Sequence, residues 1–459
     1  MPGLDDERGG SKASDDLAAQ AELAPDLTAA AVDVIPPEIM AQSLSEYLRG
    51  WFVRVKSGDA GVLPVVAALV VAILVFQLIS PNHVYLSSGN LVNLFAQSAV
   101  FIVLGVAEIF VLLLGEIDLS IGYVAAIGGI VTAELVQPQA APSDYLHNWP
   151  WWGAIIAALT VCGLIGALHG LIITKLKLPS FVVTLAGQMF WFGVMIILLG
   201  PAGGVSVTST VVPAQVNIYG IVYSYLDVLF SWVGLGVIVL VIGGSMWMRD
   251  HERRRSGLVA PPIGLTVAKV AFIAIAGIAV LAICNVNRSH GSLAIIGVPW
   301  VVPLVLAVVA SATLLLERTQ FGRHVYATGG NPEAARRAGV GVNSIRTWAF
   351  VICSAISGLA GIIYVSQLGG ITTNINGGQY VLFAVAAAVI GGTSLMGGRG
   401  RAIHGLLGGL TIGAIYNGLF LLGMPVEYQY IATGLVLLAA VSVDALARRS
   451  TTSGSMARV

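Results

Sequence analysis

A few carboxylates and amides stand where polar groups are costly. Glu108, Glu116 and Asp118 lie inside or between long apolar stretches, with Ser120 two residues further on. Asn93 and Gln97 are four residues apart, as are Thr184 and Gln188, so each pair shares one face of a helix. Asn417 sits mid-way along another apolar run, near Thr411 and Tyr416. Such groups offer hydrogen bonds, and the acids also offer proton transfer, where little water competes. As a set they read as the lining of a polar passage. For any one of them, a hydrogen bond between membrane helices, about 1 kcal/mol, is the plainer role. Glu108 reads either as a contact to a transported molecule or as a protonated structural acid.

No hydrolytic chemistry accompanies them. None of Lys12, Lys56, Lys175, Lys177 and Lys269 follows a glycine, so the GxxxxGK[ST] phosphate loop that ATP hydrolysis needs is absent. HExxH and GxSxG are absent too. His169 and His404 fall in or at the ends of apolar runs and read as packed side chains. Cys162, Cys284 and Cys353 are far apart in apolar runs, which excludes a disulfide scaffold and any CxxC metal pattern. The chain is not expected to be an enzyme or to hold a cofactor or metal.

The elements that must position these residues are membrane helices. Of 459 residues, 57% are hydrophobic and 10% charged, too few charges to cover a soluble surface, which usually carries about 25%. Mean hydropathy is +0.88. The net charge is zero, so no basic field invites nucleic acid. Runs long enough to cross about 30 Å of hydrocarbon lie at 62–79, 91–114, 119–136, 152–174, 181–200, 228–248, 263–284, 300–316, 347–366, 380–396, 402–423 and 427–446. With a cytoplasmic N-terminus, these twelve spans place every Lys and Arg except Lys269 and Arg288 in cytoplasmic segments. A wrong count would scramble that asymmetry, so twelve spans and two cytoplasmic termini are expected. Residues 1–58 read as a cytoplasmic, mostly disordered acidic tail without a cleavable leader, 59–447 as the transmembrane domain and 448–459 as a second cytoplasmic tail.

Two connections stand out. The outside segment 200–227 has no Lys or Arg and is rich in Gly, Ser and Thr. It reads as a connecting loop or as an external docking or gating surface. The cytoplasmic segment 317–346 is the longest charged connection between spans. Within it, Asn331 suits a helix N-cap, Pro332 the first helical position, and Gly339 the stop after the last turn. Glu333 would face the positive end of the helix dipole and Arg336 and Arg337 the negative end. A short exposed helix is expected there, as a docking surface or a simple connector.

These residues resemble a family. Gly329-Gly330-Asn331-Pro332-Glu333-Ala334-Ala335-Arg336-Arg337-Ala338-Gly339 resembles the coupling loop of ABC-importer permeases of the ribose/xylose type. Gly115-Glu116-Ile117-Asp118-Leu119-Ser120, Pro179-Ser180-Phe181 through Gly187, and Gly391-Gly392-Thr393-Ser394 through Gly398 resemble three further family stretches, in order. The likeness runs from about residue 60 to 447 and is strongest to the xylose-permease branch. The Arg-rich segment near 249–255 and the span pair near 228–284 read as an insertion that simpler members lack. Glu108 departs from the family pattern. The resemblance implies an inner-membrane monosaccharide permease, xylose being the nearest case, working as a homodimer in membrane lipid. ABC ATPase subunits would drive it, docking on Gly330 to Arg337 and Gly339, and an extracytoplasmic sugar-binding protein would feed it. An ion- or proton-coupled carrier using Glu108, Glu116 and Asp118 as relays is the alternative from another class.

Overall fold

The computed structural model describes residues 61–139, 146–209, 211–258, 260–289 and 294–425, with scattered residues between 45 and 52 and between 427 and 438. The tail at 448–459, and most of the tail at 1–58 and of the run at 427–446, lie outside the described residues. Helices follow in the order α1 (Leu63–Ile79), α2 (Ser88–Leu112), α3 (Ile121–Leu135), α4 (Trp151–Leu176), α5 (Ser180–Leu199), α6 (Pro213–Tyr223) and α7 (Val228–Arg255). They continue with α8 (Ile263–Cys284), α9 (Val301–Arg318), α10 (Gln320–Gly330), α11 (Pro332–Arg337), α12 (Val342–Leu368), α13 (Gly377–Ile390) and α14 (Ala402–Leu421). The protein is an all-α membrane bundle. Eight of these helices (α2, α4, α5, α7, α8, α9, α12 and α14) are long and apolar enough to cross a membrane. The runs at 62–79, 119–136 and 380–396 form the shorter apolar helices α1, α3 and α13.

The described chain divides into two compact units. Among the described residues, one comprises 234–278 and the other 61–233 with 279–425. In the first, α7 and α8 run side by side, with Gly243 facing Val270 and Gly277 facing Leu235. Asp250 is buried there and accepts the Thr266 hydroxyl at 2.6 Å.

In the second unit α2 is the centre. It is mostly apolar and almost wholly buried, packed by α9, α12, α13 and α14. Lipid tails are as apolar as these side chains, so helix association rests on close packing, and small residues supply it. On α14, Gly405, Gly409 and Gly413 recur every fourth residue and abut Val106, Ile102 and Ser98 on α2. On α12, Gly358 and Gly361 meet Gly128 and Gly129 of α3.

The breaks between helices are specified locally. Gly115 ends α2 with φ +74°, Glu116 N–H bonds the Val111 carbonyl at 3.1 Å, and Gly115 N–H bonds Leu112 at 2.9 Å. This is the glycine-terminated pattern that satisfies the last helical carbonyls. The run at 380–396 stops at Ile390 in the same manner, with Gly392 at φ +110°. The charged connection at 317–346 holds more helix than the sequence indicates. Before α11 comes α10, begun by Thr319, whose hydroxyl accepts the Gly322 N–H at 3.2 Å.

The segment 200–227 is not an open loop. It carries β1 (Gly204–Ser206), α6 and β2 (Tyr225–Leu226). β1 pairs antiparallel with β4 (Gly370–Thr372), Gly204 opposite Thr372, and β2 pairs with β3 (Val298–Pro299). Pro213 opens α6 at its first turn, and the Ser366 hydroxyl, which donates to the Tyr219 carbonyl at 2.9 Å, accepts the Val222 N–H at 3.0 Å. Backbone pairing to distant segments orders this polar stretch, and its own composition gives no sign of that.

Candidate functional site

The break between α2 and α3 gathers the acids. Glu108, one turn before the end of α2, is fully buried, and its Oε1 accepts the Asp118 N–H at 3.1 Å. Asp118 Oδ1 accepts both the N–H and the hydroxyl of Ser120, at 2.9 and 2.6 Å. A carboxylate at 118 reads from sequence as the cap of α3. It instead closes a turn two residues long, and Ser120, the residue at the cap position, makes no side-chain cap bond.

Two residues that sequence spacing does not connect complete the cluster. His169 of α4 lies with Nδ1 3.3 Å from the Ser120 hydroxyl, and Trp191 of α5 donates its indole N–H to His169 Nε2 at 3.0 Å. A neutral imidazole that accepts at Nε2 carries its proton on Nδ1. Donation therefore runs in one direction, from Trp191 to His169 to Ser120 to Asp118. Gly187 of α5 lies directly against the imidazole, which leaves no room for a side chain there. Thr184 donates to the Ile117 carbonyl at 3.3 Å and to Ser180 at 3.0 Å, tying α5 to the break. Glu108 Oε2 has no partner among the described residues.

Glu116 is buried and forms an ion pair with Arg346, in the first turn of α12. Burial raises the Glu116 carboxyl above its ordinary value of 4.5, and the Arg346 guanidinium opposes that rise. The folded chain thus holds this proton to higher pH than the unfolded chain does. The group's contribution to stability is greatest at or below pH 4.5 and is lost as pH rises through the raised value. Glu116→Gln, neutral throughout, is expected to flatten the pH dependence of thermal unfolding above pH 4.5. Unfolding scans of the detergent-solubilised protein check this. An unaltered slope would contradict it.

A second polar cluster joins α2 to α14. Asn417 donates to Gln97 Oε1 at 3.1 Å, and Asn90 donates to Asn417 Oδ1 at 2.9 Å. Tyr85 closes it by donating to the Ala414 carbonyl at 2.8 Å. These amides satisfy one another, as interhelical hydrogen bonds do. Asn93 is exposed, although it is four residues from the buried Gln97. Gln188 is half-buried, with its amide nitrogen beside Gly378.

Three exposed charges, Glu333, Arg336 and Arg337, stand on α11. Asn331 Oδ1 accepts the Ala334 N–H at 2.9 Å, and Glu333 pairs with Arg336 at 2.7 Å and Arg337 at 3.5 Å. Gly339 closes the helix at φ +84°, where Val340 N–H bonds Ala335 at 3.0 Å. Gly330, Asn331, Pro332, Glu333, Ala334, Arg336, Arg337 and Gly339 are exposed. Ala335 is buried in its own chain, so its methyl is not part of the outer face. Behind α11, the Gly329 backbone lies against the Leu113 carbonyl, which also accepts the Gly398 N–H at 2.9 Å. The end of α10 therefore touches the α2–α3 break directly, backbone on backbone.

Residues 90–441 match the family model described as the permease component of branched-chain amino acid transport systems. The chain belongs to this family of transport permeases. It is 33% identical to the xylose transport system permease protein of Escherichia coli K12, covering 87% of this chain and 95% of that one. The xylose transport system permease protein of Haemophilus influenzae Rd is 32% identical, over 85% of this chain and 98% of its own. The ribose import permease protein of E. coli K12 is 29% identical, over 87% and 95%. No solved structure matches the chain. The permease is thus a multi-pass inner-membrane transport subunit, and this membership sets aside the ion- or proton-coupled carrier.

Proposed function

We propose that this permease forms the transmembrane pathway of an ABC importer for a monosaccharide of the xylose or ribose kind. The observation that carries the reading is likeness to xylose and ribose permeases along nearly their whole length, joined to a capped, charged and exposed α11. Two copies would form the pathway, an extracytoplasmic binding protein would deliver the sugar, and ATPase subunits would engage α11. Twelve spans with both termini in the cytoplasm fit the distribution of Lys and Arg. The acids at the α2–α3 break would then lie toward the cytoplasm and the β1–β4 ladder outside. The Glu108–Asp118–Ser120 cluster, Glu116, Thr184 and Gln188 would flank the pathway, and Asn90, Gln97 and Asn417 would hold its outer half together. Asn93 would face outward from it.

Reconstitution tests this. In proteoliposomes, uptake of D-xylose or D-ribose should require ATP, a partner ATPase and the binding protein together, and should survive an ionophore. The purified chain alone should hydrolyse no ATP. Turnover by the isolated chain, or uptake abolished by the ionophore, contradicts the reading. The buried native cysteines permit a topology test. Single cysteines at Thr208 and Thr373 should label from outside intact cells, and those at Ser256 and Asn343 only after lysis.

A further inference from the structure

Two sets of tyrosines contrast in the second unit. Tyr85, Tyr223 and Tyr326 each donate to a backbone carbonyl, of Ala414, Gln367 and Gly400, at 2.8 Å. Their hydroxyls are held by the fold, as buried tyrosines usually are. Tyr364 of α12, Tyr380 of α13 and Tyr416 of α14 have no such tie to backbone among the described residues. They converge instead. The rings of Tyr364 and Tyr380 meet edge to face with centroids 5.5 Å apart. Tyr416 joins them through the rings of Phe101 and Phe383.

Helices α2 and α13 supply apolar ring surface beside them. Phe101 of α2 stacks on Tyr380 at 6.3 Å and meets Tyr416 edge-on at 5.5 Å, while Phe383 lies 6.0 Å from Tyr380 and 6.1 Å from Tyr416. Phe101 and Phe383 are buried, whereas the three tyrosines are only partly so. At the edge of the group Asn376 donates to the Tyr430 hydroxyl at 2.7 Å. Three helices thus present tyrosine hydroxyls backed by two buried rings.

A sugar ring has two chemistries, C–H faces and a rim of hydroxyls. Aromatic faces suit the first, and hydroxyls that both donate and accept suit the second. We propose that Tyr364, Tyr380 and Tyr416 form a monosaccharide contact site on the outer half of the pathway, with Phe101 and Phe383 as its floor. The assignment rests on the monosaccharide-importer reading above. A passing sugar meets these hydroxyls with its own. Because each tyrosine sits on a different helix, movement of α12, α13 or α14 separates the hydroxyls and releases the sugar.

Phenylalanine keeps ring packing and removes only the hydroxyl, which makes Tyr364→Phe, Tyr380→Phe, Tyr416→Phe and their triple combination the informative variants. The assay is uptake by the reconstituted complex of permease, ATPase and binding protein, with D-xylose, D-ribose and a deoxypentose as probes. The expected loss of pentose uptake is roughly fivefold to tenfold for each hydroxyl that meets the sugar. Discrimination between the pentose and its deoxy analogue should narrow in step, since a site built to bind a hydroxyl penalises its absence. The binding protein is the same throughout, so its own selectivity cancels. Tyr85→Phe, which loses a carbonyl bond only, should leave discrimination unchanged. Wild-type rates and discrimination in the triple variant, or a loss of rate with discrimination intact, would overturn the assignment. Failure of the unsubstituted complex to take up either pentose would instead overturn the importer reading on which it rests.

Discussion

Gly361→Val is expected to remove the protein from the membrane almost completely. Gly361 sits where α12 crosses α3, and a Cβ built there overlaps the Ala125 carbonyl and stands 3.0 Å from Gly129 N. Both neighbours are backbone, so no side chain can rotate away. Adding methylenes to a packed core costs about 1–3 kcal/mol when neighbours adjust, and more when they cannot. α12 also packs on α2 and α4, so a shift at Gly361 spreads to the centre of the bundle. Gly264 on α8 is the contrast, since nothing lies within 4 Å of a Cβ there. Gly264→Ala should be neutral or stabilising by up to about 1 kcal/mol. Membrane levels and thermal unfolding in detergent decide the comparison. Normal accumulation of Gly361→Val would mean that the α3–α12 crossing is looser than its geometry indicates.

That crossing also shows how far the fold was legible. Long apolar runs read directly as helices, because the length needed to cross hydrocarbon is fixed. The short helices α3 and α13 were legible as apolar runs too, but the point where 380–396 stops depends on Gly392 reaching a positive φ. The ladders β1–β4 and β2–β3 were not legible. They are two or three residues long and pair segments far apart in sequence, as with Leu226 and Val298. No local periodicity marks so short a strand.

The acids of the α2–α3 break were visible in sequence because a carboxylate in an apolar run is conspicuous. Their partners were not. His169 and Trp191 come from α4 and α5, and only tertiary packing brings them to Ser120. Arg346 looked like one more cytoplasmic charge until α12 placed it on Glu116. The tyrosines were passed over for a different reason. An aromatic residue in an apolar helix reads as core, and only the missing carbonyl tie separates Tyr380 from Tyr85. Local capping, by contrast, was fully readable at α11, because Asn331, Pro332 and Gly339 act within a few residues of themselves.

Glu333→Lys and Ala334→Trp on α11 are expected to lower ATP-driven sugar uptake by more than tenfold while membrane levels stay near normal. The fold has little stake in either side chain. Glu333, Arg336 and Arg337 are more than half exposed, and helical ion pairs of this kind contribute about 0.2–0.5 kcal/mol. Reversing the charge at 333 replaces that attraction with a repulsion of similar size, and Ala334 is at the surface with room for a larger group. The helix keeps its Asn331 cap and its Gly339 stop in both variants. What changes is the outer face offered to a partner, where a like charge or an indole blocks close approach. A partner held away from α11 cannot pass movement through Gly329 to the Leu113 carbonyl and the α2–α3 break behind it. Ala335→Trp belongs to another class, because residue 335 is buried and the substitution should reduce the amount of folded chain. Uptake, co-purification of the ATPase and membrane level, measured together, separate the two effects. Full uptake and full ATPase association in both Glu333→Lys and Ala334→Trp would reduce α11 to a connector.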